Sequence, residues 1–202
     1  MPSSRFFKLP DEKRSKILKA ALSELAQFPV DDISINRIIR SADISRGSFY
    51  QYFEDKDDLL EYVFSDFRQV MTREIKDSIE QNQGDMFEVG MEILEKIVAM
   101  GSREENRRIF VNVFSYVKVA QSSLERVIAD EEELVDGFVK YIDRSRLKFT
   151  SDEEVRELMK LGLALFKDSV CRCFADIDNA PEVMENFRKR VDIIKYGAWK
   201  QS

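Results

Sequence analysis

Apolar residues recur at intervals of three or four along most of the chain, which is the periodicity of an amphipathic α-helix. Two short segments, 34–42 and 45–53, carry this pattern on either side of Asp43. Ser34 and Ser45 stand where each helix would begin, and a serine hydroxyl there can accept a free backbone N–H. Aspartate tolerates the left-handed backbone that a tight turn requires. The pattern therefore predicts two short helices joined by a tight turn.

Longer periodic segments predict further helices separated by polar breaks. Asp55 can cap a long helix, and Ser151 with Glu154 can form a capping box. The segment 101–106 predicts a turn with a cap at Ser102. Besides the short pair, the predicted helices cover residues 11–28, 55–81, 86–100, 109–119, 122–145, 151–175 and 181–199.

The composition of the chain supports an all-α fold. Its 202 residues include four prolines and seven glycines, 35 % of them are charged and 44 % are hydrophobic. No apolar run approaches the roughly 20 residues that a membrane-spanning helix needs. Residues 1–8 lack the apolar core of a signal peptide. We therefore expect a cytoplasmic protein with no membrane part.

The formal charge of −6 is unevenly distributed. Residues 1–56 contain 10 Lys/Arg and 8 Asp/Glu, a net charge of +2, and the rest of the chain contains 22 and 30, a net charge of −8. For a chain that binds nucleic acid, a mildly basic segment on an acidic chain favours site-specific binding over general coating.

Residues that typify enzyme active sites are scarce. The chain has no histidine, which removes the commonest general base and metal ligand. It also has no phosphate-binding glycine loop and no nucleophile elbow. We expect no enzyme, no metal and no cofactor. Cys171 and Cys173 lie two residues apart, so on a helix they diverge and cannot easily pair; they are either packing residues or a redox sensor.

The segment around the two short helices also carries a specific motif. Its residues follow the pattern T-x-x-x-I-A-x-x-A-G-V-S-x-G-x-L-Y-x-H/Y-F-x-x-K-x-x-L in register, through Ser34, Ile38, Ala42, Ile44, Ser45, Gly47, Phe49, Tyr50, Tyr52, Phe53, Lys56 and Leu59. This segment resembles the DNA-binding motif of the TetR family of repressors, over about residues 8–65. Asp43 replaces the usual glycine of the turn, and Ile39 replaces a usual alanine.

The resemblance implies an N-terminal three-helix helix-turn-helix DNA-binding domain, 1–56, and a C-terminal helical ligand-binding and dimerisation domain, 57–202. Arg46 would begin the recognition helix, where it reads a base, contacts a phosphate or remains a solvated side chain. Tyr52 would anchor a phosphate or belong partly to the core. The expected DNA contacts are Ser34, Arg37, Ser45, Arg46, Gly47, Ser48, Tyr50, Gln51, Tyr52 and Lys56.

The segment 152–175 is apolar around nearly its whole circumference, so as a helix it should be buried on all sides. A subunit interface with the final helix would achieve this, and TetR-like proteins form dimers through two such helices from each chain. A homodimer would also supply the two DNA-binding segments that a palindromic operator requires. The expected interface residues are Leu165, Phe166, Phe187 and Ile194.

The middle helices hold many large apolar residues, which either form plain core or line a cavity for a small effector. The resemblance favours a cavity, and the scarcity of polar residues in these helices favours an apolar or amphipathic ligand. The candidate lining residues are Phe87, Met91, Phe110, Phe114, Tyr141 and Phe166. We thus expect a ligand-responsive regulator of transcription, by family default a repressor. The alternative is a helical interaction protein of the same fold that does not bind DNA.

Overall fold

Ten α-helices and no strand occur in the part of the chain that the computed structural model describes, residues 2–119 and 131–198. The predicted all-α class is confirmed. The helices are α1 Ser4–Phe7, α2 Asp11–Gln27, α3 Ile35–Ser41, α4 Arg46–Tyr52, α5 Lys56–Gln81, α6 Met86–Gly101, α7 Glu104–Val119, α8 Glu131–Phe138, α9 Asp152–Ala175 and α10 Ala180–Ala198.

The described residues group into two compact units, each built from two separate segments of the chain. The units comprise residues 2–69 with 104–119, and residues 70–103 with 131–198. Helix α5 contributes its first half to one unit and its last turns to the other. These units differ from the division expected after residue 56, because a later helix joins the N-terminal segment.

That later helix is α7, which packs on α2 in the first unit. Val113 is 3 % exposed in the shared core. The side-chain amide of Asn112 donates to the Leu25 carbonyl at 2.7 Å, 87 positions earlier in the chain. Apolar packing and a long-range hydrogen bond therefore both hold α7 against the N-terminal helices.

The core of the first unit confirms the apolar faces predicted for the two short helices. Ile38 and Ala42 are each 1 % exposed, and Asp43 between the helices has a φ of +55°, the left-handed conformation expected of the turn. Asp55 caps α5 as predicted, because its Oδ1 accepts the Asp58 N–H at 2.8 Å. The largest fully buried side chains of this core are Phe6, Ile17, Leu25, Ile38, Phe49, Phe53, Leu59 and Leu60.

The predicted turn at 101–106 is shorter in the structure. Helix α6 continues to Gly101, and Ser102 ends it rather than starting the next helix, since the Ser102 hydroxyl donates back to the Val98 carbonyl at 2.7 Å. Helix α7 begins at Glu104, five residues before the predicted start. Its first turn is entirely polar, so the apolar periodicity becomes visible only from Ile109.

The helix predicted over 122–145 is wrong at its C-terminal end; its first residues, to 130, lie outside the described residues. Helix α8 ends at Phe138, and a 3₁₀ turn follows over Val139–Tyr141. The Asp143 carboxylate accepts both the backbone N–H and the hydroxyl of Ser145 at 2.9 Å. Local bonds of this kind compete with helical hydrogen bonds and favour a turn.

Helices α6, α9 and α10 pack against one another in the second unit. The predicted capping box opens α9: Ser151 Oγ accepts the Glu154 N–H at 3.3 Å, and Glu154 accepts the Ser151 N–H at 3.3 Å. The Ser151 hydroxyl also donates to Glu154, and these bonds lower the pKa of that carboxyl. Buried apolar residues of the three helices include Phe87, Met91, Leu94, Val155, Leu158, Val170, Phe174, Phe187 and Val191.

A polar cluster joins the last turns of α5 to α6 within the second unit. The Glu92 carboxylate accepts Ser78 Oγ at 2.5 Å and Asn82 Nδ2 at 2.8 Å, and it pairs with Lys96 at 2.8 Å. Lys96 also pairs with Glu74 at 2.8 Å. The bonds from Lys96 and Ser78 hold the pKa of Glu92 below its usual range. This hydrogen-bonded network fixes how the end of α5 aligns with α6, because polar contacts of this kind are directional and apolar contacts are not.

Candidate nucleic-acid interface

Helices α3 and α4 form two short helices around a tight turn, with one side buried and the other exposed. Phe49 is fully buried on the inner side of α4, while Tyr50, next in sequence, is 47 % exposed. Ser45 caps the helix as predicted, since its hydroxyl accepts the Ser48 N–H at 3.0 Å. The exposed residues of this segment are Ser45, Arg46, Gly47, Tyr50 and Gln51, and Ser48 is half-buried.

Gly47 lies in the first turn of α4 with open space where a side chain would stand. A Cβ added there would meet only the Ser45 hydroxyl, at 3.9 Å. Glycine weakens a helix by about 1 kcal/mol relative to alanine, and packing within the chain does not require it here. The glycine therefore keeps the outer surface of α4 flat, which lets another molecule approach the backbone.

The guanidinium of Arg46 lies between α3 and α4. Its Nη1 donates to Asn36 Oδ1 at 2.9 Å, and its Nη2 donates to the Tyr50 hydroxyl at 3.4 Å. The guanidinium carbon is 5.5 Å from the centre of the Tyr50 ring. Three exposed polar side chains from two helices thus form one connected group.

Arg37, a predicted DNA contact, is tied into the first unit. Its Nε donates to Glu24 Oε1 at 2.6 Å, and its guanidinium lies 3.8 Å from the centre of the Phe28 ring. Glu24 is 5 % exposed, whereas the Arg37 side chain is 42 % exposed. Arg37 therefore pairs with a buried carboxylate, although its own side chain remains exposed.

Glu24 also explains the start of α3. Ser34 occupies the N-cap position, but its side chain makes no capping bond, which corrects the prediction from the sequence. The Glu24 carboxylate accepts the Ser34 backbone N–H at 2.9 Å instead. One buried acid on α2 thus fixes the first residues of α3 and leaves the Ser34 hydroxyl out of the cap.

Two predicted phosphate contacts lie in packed positions. Tyr52 is 7 % exposed, with its ring centre 6.2 Å from that of Phe6, so the structure gives it a core role. Lys56 is half-buried, and its ammonium donates to the Val30 carbonyl at 3.2 Å. That carbonyl offsets the unfavourable position of a cation at a helix N-terminus.

The sequence did not predict the role of the N-terminal residues. Ser3 donates its backbone N–H to the Tyr52 carbonyl at 2.8 Å and its hydroxyl to the Gln51 carbonyl at 2.5 Å, so it holds the C-terminal end of α4. Phe6 is fully buried beneath that end. The sequence does show an acidic residue, Glu24, among the apolar positions of α2, and this was a signal that Glu24 has a structural role. No comparable signal in the sequence indicated the role of Ser3.

Comparison with known proteins identifies the family. A sequence model described as "Bacterial regulatory proteins, tetR family" matches residues 17–63. A second, described as "Tetracyclin repressor-like, C-terminal domain", matches residues 85–198, more than half of the chain. The chain belongs to the TetR family.

Relatives in the TetR family agree with this assignment. The chain is 31 % identical over 106 residues to the HTH-type transcriptional regulator AcrR of Shigella flexneri, covering 50 % of the chain and 47 % of AcrR. It is 36 % identical over 73 residues to the HTH-type regulator HbdR of Aromatoleum sp. (strain CIB), covering 36 % of the chain and 32 % of HbdR. The chain spans less than half the length of these curated relatives.

Solved structures of TetR-family proteins share the fold. One is FadR of Thermus thermophilus, a transcriptional repressor in complex with lauroyl-CoA, with a TM-score of 0.65 at 16 % identity over 94 % of this chain and 96 % of FadR. Another is a TetR-family regulator from Streptomyces coelicolor, with a TM-score of 0.65 at 16 % identity over 97 % of this chain and 94 % of that protein.

The residues expected at the TetR-type dimer interface divide into two groups. Phe187 is 2 % exposed, and its ring packs within the chain against Phe166, with ring centres 6.2 Å apart. Leu165 and Ile194 are half-buried. Three further residues with large side chains on these two helices are more exposed than these: Leu161 at 50 %, Ile193 at 73 % and Tyr196 at 72 %.

The candidate effector residues are divided between the two units. Phe110 and Phe114 belong to the first unit, where Phe110 packs edge-to-face against Phe67 with ring centres 5.8 Å apart. Phe87 and Met91 are buried in the second unit, and Tyr141 is 49 % exposed there. A shallow cleft lined by Asp85, Met86, Phe87, Asp143, Arg146 and Leu147 has a volume of about 10 Å³, far below the roughly 300–1,000 Å³ of typical ligand sites.

The two cysteines fit the packing interpretation. Cys171 and Cys173 are both buried, and burial raises the pKa of the Cys173 thiol to about 11. A thiol held in its neutral form is a poor redox sensor, because the thiolate is the reactive species.

In the described part of the chain, no helix is both long and apolar enough to cross a membrane.

Proposed function

We propose that this TetR-family chain is a ligand-responsive regulator of transcription that binds a palindromic operator as a homodimer. The observation that carries the proposal is the outer side of α4, where Arg46, Gly47 and Tyr50 are exposed above a fully buried Phe49. Polar donors and a flat backbone on one rigid helix are what entry into a DNA major groove requires. Arg46 is the proposed base contact, and Tyr50 and the Ser34 hydroxyl are the proposed phosphate contacts.

The proposed dimer forms through α9 and α10. Leu161, Ile193 and Tyr196 expose apolar surface on these two helices, and exposed apolar surface on adjoining helices favours contact with another protein surface. A second copy of the chain supplies a matching surface by two-fold symmetry. The dimer then carries two copies of α4 for the two half-sites of an operator.

The proposed effector is a small apolar or amphipathic molecule that releases the protein from DNA. FadR has the same fold and holds lauroyl-CoA, so this fold can accommodate an amphipathic ligand. Helix α5 belongs to both units, so a ligand that displaces its last turns acts on the helix that leads from α4. Release requires that the ligand bind the two states with different affinity.

A mobility-shift titration of the protein with its gene's upstream DNA tests the proposal. We expect a shift that is stronger than for an unrelated duplex of equal length, and an affinity that falls steeply with salt as phosphate contacts release counterions. Arg46→Ala should reduce the difference between the two duplexes, and the exposed α2 substitution Glu12→Gln should leave it unchanged. Equal weak affinity for both duplexes would favour a helical interaction protein instead.

A further inference from the structure

Asn36 makes a contact with Arg46 that the sequence did not predict. It is exposed on α3, and its Oδ1 accepts Arg46 Nη1 at 2.9 Å across the turn between the helices. We infer that Asn36 is a positioning residue, which fixes the direction of the Arg46 guanidinium and so influences which base pair the protein selects. The inference rests on the proposed operator binding through α4.

The contact with Asn36 leaves Arg46 able to bind a base. A guanidinium has five N–H donors, of which the Asn36 oxygen and the Tyr50 hydroxyl engage one each. A two-point contact with guanine needs two donors. The remaining three N–H groups are therefore enough to read a guanine while Asn36 holds the side chain.

Two helices are needed to fix the direction of this side chain. Tyr50 lies one turn after Arg46 on α4, so its ring and hydroxyl support the guanidinium only along that helix. Asn36 comes from α3 and adds a second point of attachment. An arginine that is held before binding loses less side-chain freedom when it meets a base, which favours the base pair that its fixed direction can reach.

Asn36 could instead act by touching DNA itself, since asparagine can bind adenine through two atoms. The two roles differ in their dependence on Arg46. A positioning residue has no effect on base preference once Arg46 is gone. A residue that contacts DNA directly keeps its effect in the absence of Arg46.

The test is a selection from duplex DNA with a randomised core of about two helical turns, using the full chain and its variants. Wild-type protein should enrich a motif. Asn36→Ala should lower the preference at the Arg46-dependent base pair by about three- to tenfold, as expected for one lost hydrogen bond. In the Arg46→Ala background the same change should cause no further loss. Asn36→Asp, which keeps the acceptor oxygen, should retain the preference.

Ser41→Ala, an exposed change on the same helix, is the matched control and should leave both the motif and the unfolding midpoint unchanged. An unaltered motif in Asn36→Ala would overturn the inference, as would an equal loss with and without Arg46. Either result leaves the proposed function intact, because wild type has still enriched a motif. Failure of wild type to enrich any motif overturns the proposed function and the inference together.

Discussion

The helix pairs α3–α4 and α9–α10 differ in what they leave exposed. In the first pair the exposed positions around α4 are polar or lack a side chain, as at Arg46 and Gly47, and the exposed ring of Tyr50 has its hydroxyl bonded to Arg46. In the second pair several exposed side chains are large and apolar, with Ile193 at 73 % and Leu161 at 50 % exposure. Both pairs bury an apolar face within their own unit, so the difference lies only on the outer surfaces.

This difference indicates two kinds of partner. Phosphates and base edges are hydrated and charged or polar, so a surface that meets DNA keeps hydrogen-bond donors and open backbone. A surface that meets another protein chain loses its water most favourably if it is apolar. The outer surface of each pair therefore supports the partner proposed for it, DNA for α4 and a second chain for α9–α10.

The largest effect is expected in the core beneath the α4 surface. Phe49→Ala removes a fully buried ring and should lower the free energy of unfolding by about 3–5 kcal/mol. The neighbouring Tyr50→Ala removes a ring that is 47 % exposed and should cost less than about 1 kcal/mol. Urea unfolding of both variants measures the loss of unfolding free energy that each substitution causes. Similar losses would mean that α4 does not separate into a buried and an exposed side.

The next effect concerns the apolar surface of α10. Ile193→Glu should leave the fold of one chain intact, because the side chain is 73 % exposed, but weaken dimerisation by about 30-fold or more if the residue is central to the interface. Sedimentation velocity at micromolar concentration measures the association. Asn186→Asp adds a similar charge at an exposed polar position of the same helix and should not change it. A monomeric wild type would contradict the proposed dimer.

A smaller effect is expected at the buried acid behind α3. Glu24→Gln removes the charge that pairs with Arg37 and weakens the bond to the Ser34 N–H, so it should cost about 1–3 kcal/mol of stability. Glu12→Gln, an exposed change on the same helix, should cost almost nothing. Thermal and urea unfolding compare the pair. Equal stability of the two variants would show that Glu24 does not hold the start of α3.

How much the sequence could predict also differs between the two pairs. The buried faces of α3 and α4 and the start of α4 follow from local rules, helical period and capping, so the sequence predicts Ile38, Phe49 and Ser45 correctly. Partners from distant segments could not be read locally. Tyr52 packs on Phe6 of the N-terminal helix, for example, and this contact has no counterpart in the motif.

In α9 and α10 the hydrophobic periodicity predicted the helices correctly, but it did not show which of their residues pack against other helices of the chain. The helical period gives the direction of each side chain around its own helix axis. Because α9 is apolar in nearly every direction, the period does not show which side of α9 faces the core. Only tertiary packing decides that Phe187 and Cys173 face inward and that Leu161 stays exposed. The sequence therefore predicted an interface on these helices but assigned Phe187, a residue packed within the chain, to it.

The smallest effect separates stability from binding. Gly47→Ala should stabilise the chain by up to about 1 kcal/mol, because alanine favours a helix and the added Cβ meets no close atom. The same change should weaken DNA binding by placing a methyl group on the surface of α4. Gly137→Ala, where a Cβ would also meet nothing within 4 Å, should not weaken binding. Unfolding and mobility-shift titrations on both variants provide the comparison.

The most direct measurement of the central claim is an NMR titration of the isotope-labelled chain with the duplex enriched from the randomised library. The account predicts that amide signals of residues 45–51 shift most strongly, with smaller changes at the start of α3. Amides on α9 and α10 should remain close to their positions in the free dimer. Strong shifts confined to α9 and α10, or none at residues 45–51 under saturating DNA, would contradict the assignment of α4 as the DNA-binding surface.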